Sequence, residues 1–416
     1  MDVNRRQFLS AAAVASGGQA SAEPDWDAIR RTFPRALNET YFNAAAQHPL
    51  GVHTVQAMQR YMDFLHLGPG EGREDLWETV LPKVRPGFAR LINAKPSEVT
   101  LCPSTTVGEN LVLNGMDLAG ANVVTNDLHY SACLAGYLRR RRMGLDVRIV
   151  KHRDWRIDLR DMERAVDRKT RLIAVSLVSS VNGHLEDARA LSELAHAHGA
   201  YLFADIIQGA GAIPIDVRAL GIDMASCGMY KWLQGEHGWA FLYLREDLIG
   251  TVVKPTQFTG HPEMNYVPWV RAPKAGQPEF LAHDPAGIAD FDVGTPSVIT
   301  LAAQHAALGF IERLTIPRIR AHARALTERL RKELPALGYP PITPPGTETP
   351  IVTFLCPDAE QTKEKIRRAA REGRARISIT GPNAALTVGR FGNHLRFSVS
   401  VYNNRQDVDR ILEVLS

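Results

Sequence analysis

The sequence predicts an α/β fold: a mostly parallel sheet between helices, followed by a smaller C-terminal α+β domain. Three observations predict it. From about residue 97 to 245, short β-rich apolar runs alternate with helical stretches, the pattern of βαβ units. The run Leu172-Ile173-Ala174-Val175-Ser176-Leu177-Val178 is apolar on both faces, as a strand covered on both sides must be. The last 65 residues carry three strand signals and a final helical stretch, as in a small α+β lobe.

In order, strands are expected at Val99–Cys102, Asn122–Thr125, Val147–Val150, Leu172–Val178, Tyr201–Asp205 and Ala240–Leu244. Helices are expected between them at Thr105–Asp117, Ser131–Met143, Leu159–Val166 and Ala188–His198. Residues 252–290, rich in Pro, Gly, Trp and His, lack periodicity. They read as a long excursion whose Phe258, Tyr266 and Trp269 shape the mouth of a site. From Thr300 one long helical pattern runs past Arg331. Strands at Pro350–Leu355, Ala375–Thr380 and Leu395–Ser400 and a helix at Asp407–Leu415 complete the chain. The expected organisation is 1–22 as a targeting segment, 23–45 as a segment packing near the small domain and the site, 46–298 as the large domain and 299–416 as the small one.

With 416 residues, 45% hydrophobic and 23% charged, the chain is of ordinary globular composition, which excludes disorder and collagen-like repeats. The formal charge of +4 is too small for a nucleic-acid or anionic-membrane footprint. Cys102, Cys133, Cys227 and Cys356 lie far apart with no CxxC pair, so neither a zinc ribbon nor a disulfide framework is supported. His196 and His198 point to different faces of a helix, so no metal site is expected. No apolar run is long enough to span a membrane.

The first 22 residues read as an export label. Asn4-Arg5-Arg6-Gln7-Phe8-Leu9 precedes a weakly apolar stretch and then Ala20-Ser21-Ala22, a small-residue cleavage site. Paired arginines before x-Phe-Leu resemble a twin-arginine signal, which predicts export to the periplasm; without a functional signal the chain would stay in the cytoplasm.

The chemistry begins at Asp205, which closes the apolar run Leu202-Phe203-Ala204 at the carboxyl end of an expected parallel strand, the edge where ligands bind in open α/β sheets. A carboxylate there needs a positive partner. Gln208 follows three residues later. Downstream, Lys231 stands in Cys227-Gly228-Met229-Tyr230-Lys231-Trp232-Leu233, apolar surroundings that favour a neutral, nucleophilic amine. A strand-end acid and a downstream lysine suit pyridoxal 5'-phosphate (PLP): the lysine forms a Schiff base, and the acid pairs with the pyridinium nitrogen.

The segment 201–244, YLFADIIQGAGAIPIDVRALGIDMASCGMYKWLQGEHGWAFLYL, resembles the class V aminotransferases, fold-type I PLP enzymes that include cysteine desulfurases and isopenicillin N epimerase-like proteins. The resemblance implies a fold-type I architecture with a seven-stranded-type sheet. It implies Lys231 as Schiff-base lysine and general acid/base, Asp205 as pyridinium partner and Gln208 as donor to the ring's phenolic oxygen. Ser104-Thr105-Thr106 matches the family's phosphate-binding turn, His129 the ring stacked on the cofactor, and Ser180 a position at the ring's oxygen edge. Gly294-Thr295-Pro296 matches the motif whose threonine reaches the phosphate of a neighbouring subunit, which implies a homodimer with shared sites. Leu395-Arg396-Phe397-Ser398 matches the signature whose arginine forks the substrate carboxylate, and Tyr41–Ala46, with Asn43 and Ala44, matches a segment beside the substrate. Two positions depart from the pattern: Tyr230 stands where His is usual, and Gly228 where Ser is often found, so Tyr230 offers a phenol instead.

Desulfurases of the family carry a nucleophilic cysteine on a loop shortly before the arginine motif, and residues 380–394 contain none. The implied activity is a PLP-dependent reaction on an α-amino acid or an amino-acid-bearing small molecule, with transamination ahead of epimerisation and C–S β-elimination. The alternative from another class is an exported binding protein that keeps the fold without catalysis.

Overall fold

The computed structural model describes residues 23–257, 287–373, 375–379 and 393–416. In chain order its strands are β1 (Thr40–Tyr41), β2 (Val99–Cys102), β3 (Asn122–Asn126), β4 (Asp146–Val150), β5 (Thr170–Ser176), β6 (Tyr201–Asp205), β7 (Met224–Gly228), β8 (Ala240–Leu244), β9 (Ile351–Leu355), β10 (Ile377–Ser378) and β11 (His394–Ser398). β2 to β8 form one seven-stranded sheet in the order β2-β8-β7-β6-β5-β3-β4. All pairs from β7 to β4 are parallel, whereas β8 runs antiparallel to both its neighbours. The carboxyl ends of β3, β5, β6 and β7 therefore open on one edge.

Alternation along the strands builds two cores. Leu172 and Ala174 of β5 face the side that also takes Phe203, Met224 and Leu242, covered by helices Thr105–Gly115 and Ser131–Arg142. Ile173 and Val175 face the other, with Leu202, Ala225 and Phe241, under helices Leu76–Leu91, Ala188–Ala197 and Val298–Leu314. β9 and β11 pair antiparallel and bury Val352, Phe354, Leu395 and Phe397 against helices Ile316–Glu333, Ala359–Arg371 and Arg405–Leu415, a third core.

Several sequence expectations need correction. β7 was not foreseen: Met224-Ala225-Ser226-Cys227-Gly228 carries no β-branched residue, yet all five are buried between β6 and β8. β5 starts at Thr170 and ends at Ser176, so Leu177 and Val178 leave the strand. The long helix beyond Thr300 is two helices, Val298–Leu314 and Ile316–Glu333, broken where Thr315 adopts φ 64°. Helices Val52–Leu67 and Leu76–Leu91, without a sequence forecast, pack on Val298–Leu314. The 1–22 segment and Phe258, Tyr266 and Trp269 of the excursion lie outside the described residues, as does most of 380–394. Among the described residues, no helix is long and apolar enough to cross a membrane.

Candidate active site

A cavity of about 230 Å³ opens at the strand edge, lined by Ser104, Thr105, Thr106, Tyr130, Ser176, Ser180, Asp205, Ile207, Gln208, Tyr230 and Lys231. Eight of these were named from sequence. Tyr130, Ser176 and Ile207 were not, although each adjoins or pairs with a residue that was. Two larger clefts, about 520 and 690 Å³, lie elsewhere and gather no comparable set of converging groups.

One end of the cavity is a helix start. Ser104 caps helix Thr105–Gly115, its hydroxyl accepting from Val107 N at 3.2 Å. Thr105 Oγ1 accepts from Gly228 N at 2.8 Å, which ties this turn to the end of β7. The departure at Gly228 has a steric reason. A Cβ there would lie 2.8 Å from Ile207 Cδ1, 3.1 Å from Tyr230 Cε1 and 3.2 Å from Thr105 Oγ1. Hydroxyls and backbone N–H groups at a helix N-terminus suit a phosphate.

At the end of β6, Asp205 is 2% exposed. Its Oδ1 accepts from Ile207 N at 3.0 Å and its Oδ2 from Ser176 Oγ at 3.4 Å. Burial pushes its pKa above the usual carboxylate range, although His129, Ile207 N–H and Lys231 all favour the charged form. A buried acid in this position is suited to a cation supplied by a ligand. His129 stands behind the cavity wall, its Nδ1 2.8 Å from Ser176 Oγ and its Nε2 3.1 Å from Glu109 Oε1.

Lys231 follows β7 in a tight loop. Gln234, at φ 60°, donates its N–H to Lys231 O at 2.8 Å, and Gly235 N donates to Met229 O at 2.8 Å. This turn sends the lysine inward, where it is 6% exposed. Burial draws its pKa down to about 8, against the opposing pull of Asp205. Its Nζ lies 5.5 Å from the ring centre of Tyr230 and 5.7 Å from that of Tyr130. Tyr230 stacks on His237 at 3.9 Å, and burial pushes its phenol up to about 12. Gln208 is held from both ends: Trp232 Nε1 donates to its Oε1 at 2.9 Å, and its Nε2 donates to Ala45 O at 3.0 Å.

Arg396, on β11, is buried outside the cavity lining and donates to the carbonyl of Ser180. Burial lowers its pKa to about 10. The segment after β1 runs between this strand and the cavity. Asn43 bridges Ser398, Ala44 is fully buried, Ala45 N donates to Ser398 Oγ at 3.0 Å, and His48 N donates to Tyr230 O at 2.9 Å. Thr295, by contrast, is exposed and outside the lining. His196 pairs with Asp223 at 2.8 Å, away from the cavity.

The donor set fits PLP: helix-start hydroxyls for the phosphate, a buried acid for the ring nitrogen and a buried amine for the aldehyde. The class V aminotransferase model matches residues 40–411. A probable cysteine desulfurase of Methanothermobacter thermautotrophicus is 29% identical over 308 residues, 73% of this chain and 74% of that one. An uncharacterized aminotransferase of Schizosaccharomyces pombe is 24% identical over 395 residues, 91% of each chain. Among solved structures, an apo cysteine desulfurase of Thermococcus onnurineus superposes with a TM-score of 0.77 at 22% identity, covering 95% of this chain and 98% of that one. The cystine C–S lyase C-DES in complex with cysteine persulfide superposes at 0.75 with 19% identity, covering 92% and 98%. Those two likenesses establish the fold. The family match, spanning both lobes and every element of the cavity, establishes that the chain belongs to the class V aminotransferases, a family of PLP-dependent enzymes.

Proposed function

We propose that the chain holds PLP through Lys231 and acts on a free or peptide-terminal α-amino acid, with amino-group transfer as the reaction. The observation that carries this reading is the meeting of Lys231 and Asp205 on one buried cavity. PLP, when bound, supplies an electron sink for the bonds at the substrate α-carbon. Lys231, with its pKa drawn down to about 8, has a substantial neutral fraction near neutral pH and can carry a proton to and from that carbon. Asp205 faces the ring nitrogen in this reading, and Ser104, Thr105 and Thr106 hold the phosphate. Gln208 has a second amide hydrogen beyond the one given to Ala45, available for the phenolic oxygen. Arg396 offers its fork to the substrate carboxylate.

Elimination at a C–S bond by the lysine alone is the second reading, favoured by the relatives named for desulfurase and C–S lyase activity. A variant that takes the sulfur onto a cysteine of the enzyme as a persulfide is not supported. All four cysteines are buried, and burial pushes every thiol above its ordinary pKa.

Borohydride reduction of the PLP-loaded protein followed by peptide mass spectrometry tests the first claim: the label belongs on Lys231, and a label elsewhere or none defeats it. Incubation with a panel of amino acids then separates the reactions. Keto acid with retained nitrogen on the cofactor means transfer, sulfide with keto acid and ammonia means elimination, and inverted stereochemistry means epimerisation.

We further propose that Thr295 serves the phosphate of a second copy, which its exposure permits, and that residues 1–22 direct export. Mixed dimers of K231A and T295A chains test the first. Export of a reporter fused to residues 1–22, abolished by R5K/R6K, tests the second.

A further inference from the structure

Glu109 belongs to no part of the machinery described above, yet its carboxylate is 2% exposed inside the protein. A buried acid needs a reason. Its Oε1 accepts from the Tyr137 hydroxyl at 2.5 Å and lies 3.1 Å from His129 Nε2. On the far side of the imidazole, Nδ1 lies 2.8 Å from Ser176 Oγ, which reaches Asp205 Oδ2 at 3.4 Å. A chain of polar groups thus runs Tyr137, Glu109, His129, Ser176, Asp205, each at most 5% exposed.

Resting on the PLP reading of the cavity, we propose that Glu109 is a positioning residue that holds His129, behind Ser176 at the cavity wall, as an oriented imidazolium. Counting donors leads there. Where Asp205 is ionised, the one hydroxyl hydrogen of Ser176 goes to its Oδ2, at 3.4 Å. Ser176 Oγ also accepts from Tyr130 N at 3.2 Å, so its remaining lone pair must take a proton from His129 Nδ1. At the other nitrogen, Glu109 Oε1 already accepts from Tyr137, and as a carboxylate oxygen it can only accept again from Nε2. Both ring nitrogens donate, which is the cation.

The surroundings agree. Glu109 on helix Thr105–Gly115, Asp205 at the end of β6 and Glu186 beyond β5 all favour a charged His129. Cys133 and Tyr137, facing it from helix Ser131–Arg142, stay neutral because burial and Glu109 both raise their pKa values. Burial alone would draw His129 down, but Glu109, Asp205 and Glu186 together outweigh it and raise the imidazole above its ordinary 6.5. Glu109, His129 and Cys133 bring three ligand atoms within 4.8 Å, but with both nitrogens donating no imidazole lone pair is left for a metal.

The consequence for the site is twofold. The imidazole plane is fixed at both edges, and the positive charge favours the ionised form of Asp205 against the burial that pushes its pKa up.

Exchange of the histidine C2 hydrogen for deuterium, followed by mass spectrometry across pH on the full chain, reads His129 directly with and without PLP. In the wild-type apoprotein the His129 midpoint should lie above 6.5. In E109Q it should fall by at least about one unit, the effect of removing an opposite charge at this range. PLP affinity should fall at least about tenfold with it. A wild-type midpoint at or below 6.5 overturns the proposal, as does an unmoved midpoint in a folded E109Q protein. Should E109Q fail to fold, Y137F decides: the Glu109–His129 pair remains, so the midpoint must stay above 6.5. The deciding midpoints are those of the apoprotein, so they stand apart from borohydride labelling of Lys231, whose failure would instead remove the PLP reading.

Discussion

Arg396 Nη1 donates to the backbone carbonyl of Ser180, so the guanidinium of β11 is tied to the segment that follows β5 at the cavity wall. That hydrogen bond helps aim the guanidinium, which in the proposed reading also meets a substrate carboxylate. Lysine cannot do both, because its ammonium is a single point of donation. R396K should therefore raise KM for the amino-acid substrate roughly ten- to a hundredfold, the value of one charge-assisted hydrogen bond, with a smaller change in kcat. Steady-state kinetics of the two proteins checks this, and an unchanged KM would remove Arg396 from substrate binding.

Lys231 governs how the apoprotein takes up its cofactor. Its pKa is lowered to about 8, so the neutral amine fraction rises about tenfold per unit below pH 8 and then levels off. The second-order rate of PLP uptake should follow that curve. A rate still climbing steeply above pH 9 would mean that the amine is solvated.

Gly228 can be tested by a single methyl. G228A presses a Cβ against Ile207, Tyr230 and Thr105 and should cost about 1–3 kcal/mol of stability, as overpacking does. Because the push falls on the helix-start turn, affinity for PLP should drop more than affinity for pyridoxal, which lacks the phosphate. Equal losses would show that the turn does not hold that group.

Acid should destabilise the fold through three histidines, His48 buried and His53 and His322 half-buried. Burial lowers His48 to about 3 and His53 and His322 to about 4. The unfolded chain binds protons at these residues near pH 6.5 while the folded protein stays neutral there. Stability is accordingly greatest above 6.5 and falls as pH drops towards 4, each residue adding up to about 1.4 kcal/mol per pH unit. Urea unfolding at pH 7.5, 6 and 5 measures the slope. H48N, which keeps a polar partner for Ser400, should flatten it by one proton's worth.

The parts of the site that were legible in the sequence were those where local chemistry is one-sided. Val99–Cys102, Tyr201–Asp205 and Ala240–Leu244 are strands with the expected bounds, because apolar runs there end abruptly in polar or turn residues. Asp205 and Lys231 stood out as charges in apolar company. Glu109 did not, since an acid in a helix reads as a solvent-facing residue until tertiary packing puts Tyr137 and His129 around it. Ser176 and Tyr130 were hidden for the same reason: a hydroxyl at a strand end and a tyrosine after a histidine signal nothing until the sheet aligns them. β7 was hidden by small residues, whereas the break at Thr315 had a signal in Pro317, in the first turn of the second helix.

The stretch from Tyr41 to His48 gives the molecule an order of assembly. Ala45 N reaches Ser398 across 353 positions, and the side chain of Asn403 holds Tyr41 O across 362. Gln208, in turn, is oriented by the carbonyl of Ala45. A nascent chain can form the seven-stranded sheet as its middle emerges from the ribosome. The anchors from Ser398 to Ala45 and from Asn403 to Tyr41 form only after those residues have been made, so this wall of the pocket is locked later than the sheet it leans on.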